Sequence, residues 1–272
     1  MKPHVIATFD GSFDGFLCVV YAYYYDKINP ILIQPKDEAQ LTLECEVYDI
    51  KTEPDKTARV LNGISEKISG EASARIYYAF LSCERDRYMT IFNYIRLGFK
   101  LGHMIDSHLQ EDCVRAVHKM YSHVGREAHL LHGFSRFEEI ILPANQACGT
   151  SFFSLNTLKT QDQDRTIFYC VITPKNNALP LLVHHFCQRF MNQRWIIHDK
   201  NRNQAAIYNG ETAILTNVPK DFAITHAPHE KQTQDMWAAF FKALTIKERI
   251  NPKVQRQLLP LYFRKNMTEF KP

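Results

Sequence analysis

The chain has 272 residues, with 33 Lys and Arg against 29 Asp and Glu, and 45% of its positions are hydrophobic. That length holds one large domain or two small ones, and 18 Phe with 13 Tyr at 23% charged residues exclude a disordered or low-complexity chain. A formal net charge of +4 is too small as a sum to mark a nucleic-acid binder.

In chain order, Val5 to Phe9 reads as a short strand. A turn follows at Asp10-Gly11-Ser12-Phe13-Asp14-Gly15, then an apolar helix from about Phe16 to Tyr25. Leu41 to Val47 alternates with period two and reads as a half-buried strand. From Asp55 to about Gly133 the pattern is helical. Its clearest helix carries Leu109, Val114, Val117, Tyr121, Val124, Ala128 and Leu131 along one stripe, with Gly133 placed to end it.

Beyond Gly133 the character changes. Phe134 to Leu142 and Thr166 to Ile172 read as strands, and Pro180 opens a helix through Phe190 that buries Leu182, Phe186 and Phe190. Trp195 to Asp199 and Ala205 to Tyr208 flank a polar turn and read as a hairpin. Residues 210–230 read as irregular, and a last amphipathic helix places Met236, Phe240 and Leu244 beside Trp237 and Phe241. The segregation of helices from strands predicts an α+β fold: a helical N-terminal half with a short strand, then a mainly antiparallel sheet packed with amphipathic helices. The expectation is one domain over 1–272, with a loose subdivision into 1–133 and 134–272.

No repeat of roughly 20–50 residues is present, which excludes solenoids and propellers. Seven cysteines form no C-x-x-C, and their odd number among apolar residues suits reduced thiols. The N-terminus lacks a signal-peptide layout, and Phe16 to Tyr25 is half the ~20 residues a membrane span needs. The chain therefore reads as cytoplasmic, with no membrane partner. Twelve histidines form neither H-x-x-x-H nor H-E-x-x-H, so no metal and no cofactor is assigned. No G-x-S-x-G, P-loop or G-x-G-x-x-G occurs either.

Three constellations could carry chemistry. In the first turn, Asp10 could serve as a base and Asp14 stands near a helix N-terminus whose free amides suit a phosphate. The plain structural alternative is that Gly11 makes the turn while Ser12 or Asp14 caps the helix. In Arg126-Glu127-Ala128-His129 and Gly133-Phe134-Ser135-Arg136-Phe137-Glu138, two arginines could meet a phosphate or a stacked base. The alternative there is an ion pair of Arg126 or Arg136 with Glu127 or Glu138. The third lies between residues 242 and 265, which hold seven Lys or Arg and one acid, leaving the rest of the chain slightly acidic. Arg249, Asn251, Lys253, Gln255, Arg256 and Gln257 combine cations with amides as a backbone-gripping nucleic-acid surface does.

Four stretches together carry a resemblance. They are Asp10 to Phe16, Arg126 to Phe137, His185-Phe-Cys-Gln-Arg-Phe190 with Trp195-Ile-Ile-His-Asp199, and Glu248-Arg-Ile-Asn-Pro-Lys-Val-Gln-Arg-Gln257. In order and spacing they resemble the bacterial "probable DNA metabolism protein" family, a domain of unknown function. In that family the domain stands beside a radical S-adenosylmethionine (radical SAM) protein, and in other chains it is fused to a uracil-DNA-glycosylase-like domain. The resemblance runs from about Phe9 to Arg264. It implies a role in DNA repair or modification, with a separate radical SAM enzyme as partner.

The expectation is therefore a DNA-binding or DNA-processing protein. Arg249, Lys253 and Arg256 would contact phosphates, and Arg126 and Arg136 would line an adjoining groove. One alternative is a glycosylase- or nuclease-like hydrolase using Asp10 and Asp14, with Phe13, Phe134 or Trp195 walling a pocket for an extruded base. Another is an adaptor that docks an acidic protein on Arg249 to Gln257.

Overall fold

The computed structural model describes residues 4–38, 45–141, 166–219 and 222–270. They form two compact units, residues 1–125 and 126–272.

The first unit is mainly helical around a small sheet. β1 (His4–Phe9) runs at its centre, parallel to β2 (Leu32–Pro35) on one side and β3 (Cys45–Asp49) on the other. The sequence pattern gives β1, misses β2, and places β3 early. Residues 41–44 lie outside the described residues, and β3 itself is mostly exposed rather than half-buried. α1 (Phe13–Tyr25) buries an unbroken run from Gly15 to Val20. A helix apolar on all sides belongs at the centre of a core. Around it pack α2 (Pro54–Lys67), α3 (Gly70–Phe80), α4 (Arg87–Leu101) and the first part of α5 (Asp112–Phe134). Leu109 lies outside α5 and is exposed, and the helix runs one residue past Gly133, which does not end it.

The second unit is built on a six-stranded sheet in the order β8-β7-β6-β5-β4-β9. Its strands are β4 (Phe137–Ile141), β5 (Thr166–Ile172), β6 (Trp195–Asp199), β7 (Gln204–Tyr208), β8 (Ala213–Asn217) and β9 (Thr225–His226). All pairings are antiparallel except β5 with β6, which are parallel and joined through α6 (Leu179–Arg189). Residues 210–230, read from sequence as irregular, supply β8 and β9. Their half-polar residues at a sheet edge give no clean alternation.

Successive residues of a strand face opposite sides, so each strand here feeds two layers. On one face Cys170, Trp195, Ile197 and Ala206 pack with Leu182 and Phe186 of α6 and with Ala128 and Leu131 of α5. On the other, Ile140, Ile167, Tyr169, Ile196 and Ile207 pack with Val218, Phe222 and Ile224. Burial on both faces explains why β5 reads as a continuous apolar run.

α7 (Glu230–Leu244) begins tied to β4, since the Glu230 carboxylate accepts a hydrogen bond from the Glu139 amide (2.8 Å). The chain then passes through α8 (Pro252–Leu258) to α9 (Leu261–Arg264), where Leu259, Phe263 and Met267 return to the core. No described helix is long and apolar enough to cross a membrane. The fold is mixed, with a helical first half and a mostly antiparallel sheet packed against helices in the second.

Candidate functional site

The first turn is closed by its own side chains. Gly11 takes φ +82°, a conformation only glycine adopts without strain, and turns the chain off β1. Ser12 is the N-cap of α1: its Oγ accepts from the Gly15 amide (2.9 Å) and donates to Asp10 (2.6 Å). The Asp10 carboxylate also accepts from the Ser12 amide (3.0 Å) and from Thr52 Oγ1 (2.7 Å). A Cβ on Gly15 would lie 2.3 Å from Asp10 Oδ1, so the carboxylate rests on the helix end itself. The position where a helix N-terminus holds an anion is thus filled from within the chain. Burial pushes the Asp10 carboxyl up, but the hydrogen bonds from Ser12 and Thr52 outweigh it and hold it below the usual range. Asp14 stands exposed in the first turn of α1, where its backbone carbonyl accepts from Thr57 Oγ1 (3.1 Å) and its carboxylate has no hydrogen bond among the described residues.

A second polar cluster in this unit went unread in the sequence. Asp106 accepts from Arg75, from Tyr94 (2.9 Å) and pairs with His118 Nε2 (2.9 Å). These side chains come from α3, α4, α5 and the short 3-10 turn Gly102–Ser107. Spread over 75–118, such a network leaves no local spacing to detect, and it ties four elements together.

In the second unit, Glu127 is 5% exposed. Its carboxylate accepts from the amides of Lys175 and Asn176 (2.8 Å each), from Asn176 Nδ2 (2.7 Å) and from Tyr262 (3.1 Å). It is a structural hub rather than an arginine partner. Arg126, next to it, is exposed. Arg136 pairs with Glu269 (2.7 and 3.2 Å) and lies 6.0 Å from the Trp237 ring centre. The ion-pair reading of Arg136 therefore holds in kind but not in partner, since Glu269 lies 133 residues away. Burial raises the Glu269 carboxyl, yet Arg136 outweighs it and holds it below the usual value.

Beside Arg136 a cavity of about 320 Å³ opens on the sheet face away from α6. Tyr169 and His198 line it from β5 and β6, Glu138 from β4, Phe222 and Ile224 from the loop, and Lys200 and Lys265 as further lining cations. Tyr169 lies 2.6 Å from His198 Nδ1. Burial drives the Tyr169 phenol far above its ordinary value, so it keeps its proton and shares a hydrogen bond with Nδ1. Burial and then Lys200 pull the His198 imidazole down to about 4. The ring is neutral near pH 7, and its Nε2 is buried with no hydrogen-bond partner among the described residues. Glu138 faces His226 at 3.5 Å. Of this group the sequence pattern marks Arg136 as a site residue. His198 hides inside the apolar run Trp195-Ile196-Ile197, where only its odd polarity marks it.

Trp195, expected as a pocket wall, is fully buried against Phe186 and Tyr208 and cannot meet a base. Phe134 is half-buried against Phe263, and Phe13 packs on Tyr77 and Phe80 in the first unit.

The C-terminal cations stand differently. Lys242, Lys247, Arg249, Lys253 and Arg256, with Gln255 and Gln257, are all exposed. Asn251 caps α8, its Oδ1 accepting from the Val254 amide (3.2 Å), with Pro252 at the first helical position. α7 turns Trp237 and Phe241 toward Glu269 and Phe270 but leaves Met236 66%, Phe240 53% and Leu244 64% exposed. Among the described residues, no hydrogen bond or ion pair joins Arg126 or Arg136 to residues 249–257. No group of three His, Cys, Asp or Glu gathers among the described residues to hold a metal.

A family model described as a domain of unknown function, DUF4130, matches residues 85–269. The match contains three of the four blocks quoted above and leaves out residues 10–16. No curated protein matches the chain, and no solved structure does.

Proposed function

The chain belongs to the DUF4130 family, and from that premise we propose that it binds DNA through residues 242–257 and serves DNA repair or modification beside a separate radical SAM protein. One observation carries the binding: five cations are exposed there against the single acid Glu248, and none is in an ion pair among the described residues. Cations held for structure are neutralised, as Arg136 is by Glu269. Cations left free release counterions when they meet phosphates. The exposed ring of Phe240 precedes them, and a base can stack on it. Repair and the radical partner draw their support from the blocks shared with the "probable DNA metabolism protein" family. Asp10, already engaged by Ser12 and Thr52, is poorly suited to proton transfer, so the hydrolase reading is set aside.

The test is fluorescence anisotropy with single- and double-stranded DNA across a salt series. The log–log slope should be near −0.9 per phosphate contact on duplex DNA, and Arg249→Glu with Arg256→Glu should flatten it by about 2. No binding at low salt, or a slope unchanged by charge reversal, would end the proposal. One observation favours a second reading: Ile246, Ile250, Val254 and Leu258 are also exposed between the cations. Such a surface suits an acidic protein partner. Nuclease-insensitive co-purification without any DNA affinity would select it.

A further inference from the structure

We propose that the cavity between Tyr169, His198, Lys200 and Lys265 binds a phosphate monoester of mononucleotide size. It is a site separate from the exposed segment 242–257, and the inference does not depend on that segment binding DNA.

Three features lead there. Tyr169 occupies His198 Nδ1, which leaves Nε2 a buried polar atom with no partner among the described residues. His198 is 7% exposed and lines the cavity. A buried polar atom without a partner is unfavourable, and natural cores keep few of them. A phosphate monoanion both donates and accepts, so one that reached Nε2 from the cavity would satisfy either tautomer. Next, the charges around the cavity select an anion. Lys200 and Lys265 are exposed lining residues with no ion pair among the described residues. The carboxylate that lines the cavity, Glu138, faces His226, while Glu269 is held by Arg136. Finally, the walls suit an organic body on the phosphate. Phe222 stands edge-on to the imidazole with ring centres 6.0 Å apart, and Ile224 and Val171 extend the apolar side. A volume of about 320 Å³ lies at the small end of ligand pockets, which fits a mononucleotide rather than a polymer.

The test titrates the full chain with dAMP, deoxyadenosine and inorganic phosphate, read by calorimetry and by the side-chain ¹⁵N signals of His198. The expected result is saturable binding of dAMP that moves the His198 Nε2 signal, with no binding of deoxyadenosine. Lys200→Ala with Lys265→Ala changes two exposed side chains, and it should weaken dAMP about tenfold or more. A 5′-phosphorylated dinucleotide that binds where dAMP does not, with the same loss in the lysine variant, upholds the site and assigns its phosphate to a strand end. Equal affinity for dAMP and deoxyadenosine, a His198 signal that stays in place at saturation, or unchanged affinity in the lysine variant overturns the proposal.

Discussion

Glu127 and His198 lie in the same unit, buried to nearly the same degree, at 5% and 7% exposure. Burial alone would rank them together, yet they are opposite cases. Every acceptor position that Glu127 needs is filled, by two backbone amides, an asparagine and a tyrosine. His198 has one nitrogen filled by Tyr169 and the other empty. A buried polar group whose bonds are complete holds the fold together, whereas one left incomplete on a cavity wall can take a ligand. The same rule separates Arg136, bound to Glu269, from Arg249 and Arg256, bound to nothing described.

The comparison can be broken most easily at Glu127. Glu127→Ala leaves the buried amides of Lys175 and Asn176 without acceptors, and unfolding in urea should show a loss of about 4 kcal/mol. A loss under about 1 kcal/mol would mean that water replaces the carboxylate there, and the distinction would fail.

A somewhat smaller effect is expected at His198 from acid. Its pKa is about 4 in the folded chain against 6.5 ordinarily, so the unfolded chain binds the extra proton. Stability is therefore fully present above pH 6.5 and is lost as pH falls through 6.5 toward 4, by about 3 kcal/mol at the low end. His132 and His185, stacked on each other and also lowered by burial, act with the same sign. Unfolding midpoints at pH 7 and pH 4.5 should differ less in a Tyr169→Phe, His198→Leu double variant than in the parent. Equal differences would remove His198 from the account.

The smallest of the three effects concerns the first turn, where a completed network lies at the surface. Gly15→Ala drives a methyl group into Asp10 Oδ1 and to 2.8 Å from Thr52 Oγ1, which forces the carboxylate off its donors. A loss of about 2 kcal/mol in thermal or urea unfolding is expected. Gly70→Ala, with nothing within 4 Å of the new methyl group, is the neutral control.

What could be read in the sequence followed from local regularity. β1, β5, α6 and the β6–β7 hairpin come from apolar runs bounded by turn residues, and the structure keeps them within a residue or two. β2, β8 and β9 escape the sequence pattern because a four-residue strand ending in Pro35, an edge strand and a two-residue strand carry almost no alternation. The candidate sites divide in the same way. The basic run 242–256 is contiguous and therefore visible, as is the Ser12 cap. The pairing of Arg136 with Glu269, the Glu127 hub and the Tyr169–His198 pair each join residues 29 to 135 positions apart, and no spacing rule reaches that far.

The parallel pairing of β5 with β6 also has a kinetic meaning. Antiparallel β6 and β7 meet across a short turn, with Asp199 opposite Gln204, and such hairpins close within about 1–10 μs. β5 can join β6 only after the chain has crossed back through α6, because parallel strands cannot be linked by a turn. Tyr169 and His198 sit on opposite sides of that slow join. The hydrogen bond that sets the histidine's tautomer is therefore expected to form later than the β6–β7 hairpin, and the cavity wall it belongs to exists only once β5 has joined β6.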